Sequence, residues 1–129
     1  MLKTFNPPGM VQPASRYSQG VEVPPNARWL YISGQIGVAP DGSVAKGLEA
    51  QFMQAFDNIG TVLAGAGMAR TDIVKLTIFV TEPGPETLGV YRRSRDLWME
   101  GHAPAGTYLV VNGLASPDFL VEIEAVAAK

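Results

Sequence analysis

The sequence DIVKLTIFV, residues 72–80, shows most directly how this chain folds. Its last eight residues, rich in β-branched side chains, predict a well-buried strand at 73–80. Ahead of this strand, apolar side chains recur at intervals of three and four residues from Leu48 to Ala66. That spacing is typical of an amphipathic helix. A helix followed closely by a buried strand therefore forms the middle of the predicted fold.

Turn-forming residues separate four further strands and a second helix. The strands are predicted at residues 17–23, 29–33, 107–111 and 119–127, and the helix at 86–99. The short link between the first two strands indicates a hairpin. No linker or low-complexity segment interrupts the chain, so residues 1–129 are expected to form a single domain with the order β-β-α-β-α-β-β.

This order constrains the sheet. Helical crossovers between parallel neighbours are right-handed, so both helices should pack on one face of a mixed sheet, in an α+β fold. The opposite face would carry apolar side chains, among them Leu109, Val111, Leu120 and Val126. A single chain would expose these side chains as a large apolar patch. Association of chains through this face is the simplest way to cover it.

Composition and charge narrow the range of functions. Hydrophobic residues make up 47% of the chain and charged residues 17%, which favours a folded domain. The net charge of −2 removes most of the attraction on which nucleic-acid binding relies, so no nucleic-acid partner is expected. With no cysteine and one histidine, neither a metal site nor another cofactor is expected. No apolar run is long enough for a signal peptide or a membrane span, so a cytoplasmic protein without a membrane partner is expected.

Several short motifs resemble those of one protein family, in the same order and with the same spacing. Besides residues 72–80, they are Tyr17-Ser18-Gln19-Gly20, Ser33-Gly34-Gln35-Ile36, Asp57-Asn58, Pro104-Ala105 and Glu122-Ile123-Glu124. These strings span nearly the whole chain and resemble the RidA/YjgF family, also described as endoribonuclease L-PSP. The resemblance implies a chorismate-mutase-like fold. It also implies a homotrimer whose ligand clefts lie between neighbouring subunits.

One position departs from the pattern of this family. Where the family has Pro-Ala-Arg, this chain has Pro104-Ala105-Gly106. In the deaminase members that the chain resembles, the arginine binds the substrate carboxylate, so its loss argues against ordinary 2-imino-acid deaminase activity. The backbone N–H groups of Gly106 and Thr107 are still candidate donors to a ligand. Arg16, or an arginine of the second helix, is a candidate replacement; the alternative is that these arginines form a solvated surface.

Glu122 is the first candidate for chemistry. In an extended strand it shares a face with Leu120, Glu124 and Val126, and a carboxylate on such an apolar face is partly desolvated. A carboxyl group placed there can hold and activate water, as the hydrolysis of an imine requires. By resemblance, Glu122 matches the glutamate that positions water in deaminase members. The alternative is a carboxylate at an interface rim, paired with an arginine of a neighbouring chain, a role that suits Glu124 better.

Four other residues are candidates for ligand contacts. Tyr17 matches the pocket tyrosine of the family; the alternative is an aromatic residue that packs at an interface edge. Ser33 and Gly34 end a strand and can offer a hydroxyl group and a close backbone approach; the alternative is a simple bend by which the chain leaves the sheet. His102 lies in the loop before Gly106 and has a pKa suited to proton transfer, but a lone loop histidine is usually a surface residue.

Together, these features predict a protein that acts on, or binds, a small reactive metabolite of the imine or enamine type. If the protein is an enzyme, it is a hydrolase that deaminates this metabolite, with Glu122 handling water. The first alternative is a non-catalytic binding or regulatory protein that uses the same cleft. The third hypothesis is an endoribonuclease or translation inhibitor, because Arg92-Arg93-Ser94-Arg95 could attract RNA.

Overall fold

The computed structural model describes all 129 residues. It contains six strands, two α-helices and a short 3₁₀ turn at Arg70–Asp72. The strands are β1 (Lys3–Phe5), β2 (Gly20–Glu22), β3 (Trp29–Ile36), β4 (Ile73–Val80), β5 (Ala105–Val110) and β6 (Val121–Ala128). The helices are α1 (Leu48–Gly65) and α2 (Pro85–Met99). Both helices and the strand β4 therefore lie where the sequence predicts them.

The main sheet has four strands in the order β3-β6-β4-β5. The C-terminal strand β6 is antiparallel to both of its neighbours, whereas β4 and β5 are parallel and are connected through α2. Strand β5 forms one edge of the sheet. The predicted α+β fold with a mixed sheet and two helices is confirmed.

The predicted hairpin between residues 17–23 and 29–33 is wrong. Strand β2 is only three residues long and pairs with β1, in a separate two-stranded sheet, while β3 pairs with β6. Two prolines in the link, Pro24 and Pro25, have no N–H to donate to a ladder. The ring of Phe5 packs against Gly20, so that a Cβ atom at Gly20 would lie 2.7 Å from Phe5 Cζ.

The core fills the space between the helices and one face of the main sheet. Helix α1 contributes Phe52, Phe56, Ile59 and Leu63, which follow the predicted stripe and are at most 1% exposed. The ring of Phe56 stacks on Trp98 of α2 at 5.1 Å between centroids. The sheet supplies alternate residues of β4 and β6: Leu76, Ile78, Val80, Val121 and Ile123. Burial of each such side chain contributes about 1.5–3 kcal/mol relative to its exposure.

The opposite face of the sheet, which we call the open face, has no helix over it. Cross-strand partners share a face, and the pairs of Tyr31 with Val126 and of Phe79 with Leu109 and Glu122 lie here. Tyr31 is 76% exposed and Leu109 41% exposed in the single chain. The sequence therefore correctly predicted an uncovered apolar face.

Two of the four residues predicted for this face lie outside the strands. Val111 follows β5, where its N–H donates to the carbonyl of Val80 at 2.8 Å. Leu120 precedes β6, and its N–H donates to Gln51 Oε1 at 2.8 Å. The strands predicted at 107–111 and 119–127 are thus displaced by one or two residues at each end, because these flanking positions bond to a neighbouring strand or helix instead.

Gln51 is a buried polar side chain that joins three segments. It is 2% exposed, although it lies on the apolar face of α1. Besides accepting from Leu120, it donates to the carbonyls of Ala45 and Asp118 at 3.1 and 2.9 Å. These bonds fix the loop before α1 and the loop before β6 to the same helix.

We expect Gln51→Ala to lower the free energy of unfolding by about 1–3 kcal/mol, because it leaves buried backbone groups without partners. Gln12→Ala is the control, since Gln12 is exposed and bonds only to carbonyls within its own loop. Urea denaturation of both variants measures the difference. Equal stability of the two variants would show that Gln51 does not hold these loops.

Candidate functional site

A small cavity of about 210 Å³ brings together several of the predicted site residues. It lies between β5, helix α2 and the segment before β2. Its lining consists of Ser15, Tyr17, Leu88, Tyr91, Arg92, Arg95, Gly106, Thr107 and Tyr108. Tyr17, Gly106 and Thr107 were predicted from the sequence by position. An arginine of the second helix was named as a candidate without a position, and the lining contains Arg92 and Arg95.

The segment around Tyr17 is fixed against the loop before β5. Ser18 is buried, its backbone N–H donates to Pro104 O at 3.0 Å, and its hydroxyl group donates to Ala103 O at 2.5 Å. These two bonds place the residue before it, Tyr17, beside Gly106. Nothing in the local sequence pattern indicated the role of Ser18.

Arg95 is the buried cation of the cavity wall. The sequence left open whether an arginine of the second helix replaces the missing one or lies on a solvated surface, and Arg95 is only 3% exposed. Its Nε donates to Asp96 Oδ1 at 2.9 Å, and its guanidinium carbon lies 5.1 Å from the ring centre of Tyr91. Its Nη2 is buried without a hydrogen-bond partner. An unpaired buried donor costs about 1–3 kcal/mol, so a partner supplied by a ligand would be favourable.

Two tyrosines stand next to this arginine. The rings of Tyr91 and Tyr108 are 5.3 Å apart, and the Tyr108 hydroxyl group is buried without a partner. Burial raises the pKa of Tyr91 above its usual value, and the positive charge of Arg95 only partly opposes this shift. Burial also raises the pKa of Tyr108. Both phenols are therefore protonated at neutral pH and can donate hydrogen bonds.

Gly106 and Thr107 contribute to the cavity in different ways. A Cβ atom at Gly106 would meet nothing nearer than Leu76 O at 3.9 Å, so this position leaves free space. The Thr107 hydroxyl group accepts a hydrogen bond from Lys75 Nζ at 2.7 Å on the open face. Gly106 shares the opposite, helix-facing side of β5 with Tyr108, because residues two apart in a strand point the same way.

Glu122 and Gly34 meet on the open face. A Cβ atom at Gly34 would lie 1.9 Å from Glu122 Oε2, so the carboxylate occupies the space that a side chain at Gly34 would need. The register of β3 with β6 shifts between Ile32 and Gln35, which brings Gly34 to this position. Ser33 is exposed beside it. Glu122, Ser33 and Gly34 are not part of the cavity wall, so one chain holds two separate groups of candidate residues.

The other two candidates lie apart from both groups. Arg16 is exposed and does not line the cavity. His102 Nε2 lies 2.8 Å from Ile73 O, to which it donates a hydrogen bond, and so ties its loop to the start of β4. This bond accounts for His102 without a catalytic role.

A larger hollow of about 840 Å³ runs between α1, the 3₁₀ turn and the end of α2. Arg70 lies over the Trp98 ring at 4.6 Å and pairs with Glu100 at 2.9 Å on its wall. None of the predicted site residues lines it. In addition, no group of three His, Cys, Asp or Glu side chains is arranged to hold a metal ion, and neither helix is long and apolar enough to cross a membrane.

Comparison with known proteins identifies the family. The model of the family described as Endoribonuclease L-PSP matches residues 9–129. A RutC family protein of Aquifex aeolicus is 39% identical over 82 residues, which is 63% of either chain. The 2-iminobutanoate/2-iminopropanoate deaminase of Salmonella typhimurium is 33% identical over 131 residues, covering 99% of this chain and 96% of that one.

A solved structure agrees with this result. The Rid family protein YyfB of Yersinia pestis, described as a protein of unknown function, is 31% identical and superposes with a TM-score of 0.91, over 99% of this chain and 98% of that chain. The fold, the family match and the relatives agree with the sequence motifs. This chain belongs to the RidA/YjgF family.

The contact between Glu122 and Gly34 gives a direct test of the site. We expect Gly34→Ala to cost about 0.5–1.5 kcal/mol of stability, because the new methyl group forces the Glu122 side chain out of its rotamer. The cost should largely disappear in a Glu122→Ala background, since residues in contact are energetically coupled.

Gly113→Ala serves as the control, because a Cβ atom there has nothing within 4 Å. Urea denaturation of the single and double variants measures the coupling. A cost of Gly34→Ala that is the same in both backgrounds would place the Glu122 carboxylate elsewhere.

Proposed function

We propose that this protein hydrolyses a small imine or enamine metabolite to a carbonyl compound and ammonia, in clefts between the subunits of a homotrimer. Membership of the RidA/YjgF family supports the proposal, as does the similarity over nearly the full length to a protein named 2-iminobutanoate/2-iminopropanoate deaminase. The reaction needs a group that activates water, and Glu122 is our candidate for that group.

The observation that carries the proposal is the position of the Glu122 carboxylate. It lies over Gly34 on the open face, opposite the apolar side chain of Phe79. It takes part in neither of the two ion pairs of the chain. A half-buried carboxylate without a cationic partner has its lone pairs available to bind and orient water.

The chemistry follows from this position. Glu122 accepts a proton from the bound water while the water oxygen attacks the imine carbon, and the imine nitrogen takes up a proton. In the resulting carbinolamine, the C–N bond breaks after a further proton reaches nitrogen, and the hydroxyl proton is lost. One imine and one water thus give one carbonyl compound and one ammonia. No electron transfer is required.

Assembly is part of the proposal because the two groups of candidate residues lie on different faces of one chain. The open face carries Tyr31 and Leu109, and burial of this apolar surface would drive association. The cavity beside Gly106 is lined by residues of the edge strand β5, where a neighbouring chain can approach. In a trimer, clefts between subunits would bring an open face close to such an edge.

We therefore expect the wild-type protein to have three times the chain mass of 13.8 kDa in sedimentation equilibrium. Leu109→Asp should dissociate it, because burial of an unpaired charge is costly. Leu97→Asp, at the exposed Leu97 of α2, should leave the mass unchanged. A monodisperse wild-type monomer at micromolar concentration would refute the proposed assembly.

The catalytic role is tested by ketoacid release from 2-iminobutanoate above the spontaneous rate. We expect Glu122→Gln to lower this rate by about 10²–10⁴-fold, the usual share of general acid–base catalysis. Glu124→Gln is the matched control, because Glu124 lies on the same strand and face but is exposed. Unchanged turnover in Glu122→Gln would exclude this glutamate as the water-activating group.

The second candidate function is non-catalytic binding of a similar metabolite. The observation in its favour is Gly106, which cannot supply the side-chain cation found in deaminase members of the family. A binding protein would show no turnover, and Glu122→Gln would change only its affinity. The arginines of α2 do not favour RNA binding, because Arg92 is half-buried, Arg95 is buried against Asp96, and only Arg93 is exposed.

A further inference from the structure

We propose that Arg95 of helix α2 supplies the anion-binding group of the cavity beside Gly106, and that this cavity binds the carboxylate of a small 2-imino or 2-oxo acid. The choice of a carboxylate ligand rests on the proposed function. The anion site itself rests on the geometry of the cavity wall.

The Arg95 guanidinium has one donor nitrogen that is not used within the chain. Two of its nitrogens have partners: Nε bonds to Asp96 at 2.9 Å, and Nη1 lies 3.4 Å from Ser15 Oγ. These contacts and the Tyr91 ring hold the guanidinium in place, while Nη2 is buried without a partner. An oxygen of a carboxylate is a strong acceptor for such a donor.

The charged residues that line the cavity are all basic. They are Arg92 and Arg95, and no acidic residue is part of the lining. Asp96 compensates Arg95, but neither ion pair of the chain involves Arg92. The cavity therefore has an excess of positive charge, in surroundings where solvent screening is reduced.

A second unused donor belongs to the same cavity wall. The Tyr108 hydroxyl group is buried without a partner, and its ring packs against Tyr91. A carboxylate has two oxygens, so one can accept from Arg95 and the other from Tyr108. Both unpartnered buried side-chain atoms of the chain belong to residues that line this one cavity.

The size of the cavity limits the size of its ligand. The cavity of about 210 Å³ is smaller than the ~300–1,000 Å³ of typical ligand pockets, which restricts it to a small acid. Gly106 leaves room for this ligand, since a Cβ atom there would have its nearest neighbour at 3.9 Å. An arginine at this position would fill the same space. In this chain the cation comes from the helix instead of from the strand.

The binding of 2-oxobutanoate, measured by ligand-observed NMR titration, tests the site without requiring catalysis. We expect Arg95→Gln to weaken binding at least ~10-fold, the loss that corresponds to about one charge-assisted hydrogen bond. Arg93→Gln, which changes an exposed arginine of the same helix, should bind like the wild type. The neutral analogue 2-butanone should not compete.

Gly106→Val provides a test that does not depend on the folding of an Arg95 variant. It retains both arginines, and valine suits a strand, but its side chain would occupy the cavity. We expect this variant to lose 2-oxobutanoate binding while it keeps its melting temperature within a few degrees. Tyr108→Phe should weaken binding less than Arg95→Gln does, because it removes a neutral donor.

The outcomes separate this inference from the proposed function. Wild-type affinity in both Arg95→Gln and Gly106→Val, or equal binding of 2-butanone, would overturn the anion site even if the protein turns over imines. No binding of 2-oxobutanoate by the wild type would overturn it as well. Loss of binding in both variants would support the site even if no turnover is found, in which case only the catalytic proposal fails.

Discussion

Pairing of β6 with both β3 and β4 is the constraint on which the rest of the structure depends. Because side chains alternate along a strand, this pairing directs Val121 and Ile123 into the core and Glu122 to the open face. A slip by one residue would exchange the two sets and bury the carboxylate. The large cost of such burial fixes the register, and the register places Glu122 over Gly34.

The connection between β4 and β5 determines the second group of candidate residues. Parallel neighbours need a crossover, and here helix α2 forms it. The helix must pack back over the sheet to bury Tyr91 and Trp98, and this packing carries Arg95 to the cavity beside β5. The same topology that completes the sheet thus places a cation next to the position where the family arginine is missing.

Much of the fold could be predicted from the sequence, because its strongest signals are local. The apolar stripe of α1 and the β-branched residues of β4 are patterns that buried helices and strands produce, and both elements lie where predicted. Strand β1 was missed because three residues show no periodicity, and its pairing with β2 depends on the contact of Phe5 with Gly20. Gln51 was missed because its hydrogen-bond partners lie in loops distant in sequence.

The candidate site was only partly predictable. The ordered family motifs predicted Tyr17, Gly34, Gly106, Thr107 and Glu122 as site residues. They did not show that some of these residues line the cavity while Gly34 and Glu122 lie on the open face. The sequence could not choose among the arginines of the second helix, because buried arginines are rare and exposed ones are the usual case. A signal was present nonetheless: Arg95 follows Tyr91 by four residues, which places it on the buried face of α2. The sequence could not show that the Tyr91 ring and Ser15 contact the Arg95 guanidinium and hold it there.

The central claim is that one ligand is held by Arg95 and faces water activated by Glu122. A crystal structure of the protein with bound 2-oxobutanoate tests it most directly. We expect a trimer in which the ligand carboxylate lies within hydrogen-bond distance of the Arg95 guanidinium. Its carbonyl carbon should then lie within reach of a water bound to Glu122, from the same or a neighbouring chain. A ligand bound away from Arg95, or one with no Glu122 carboxylate near its carbonyl carbon, would contradict the claim.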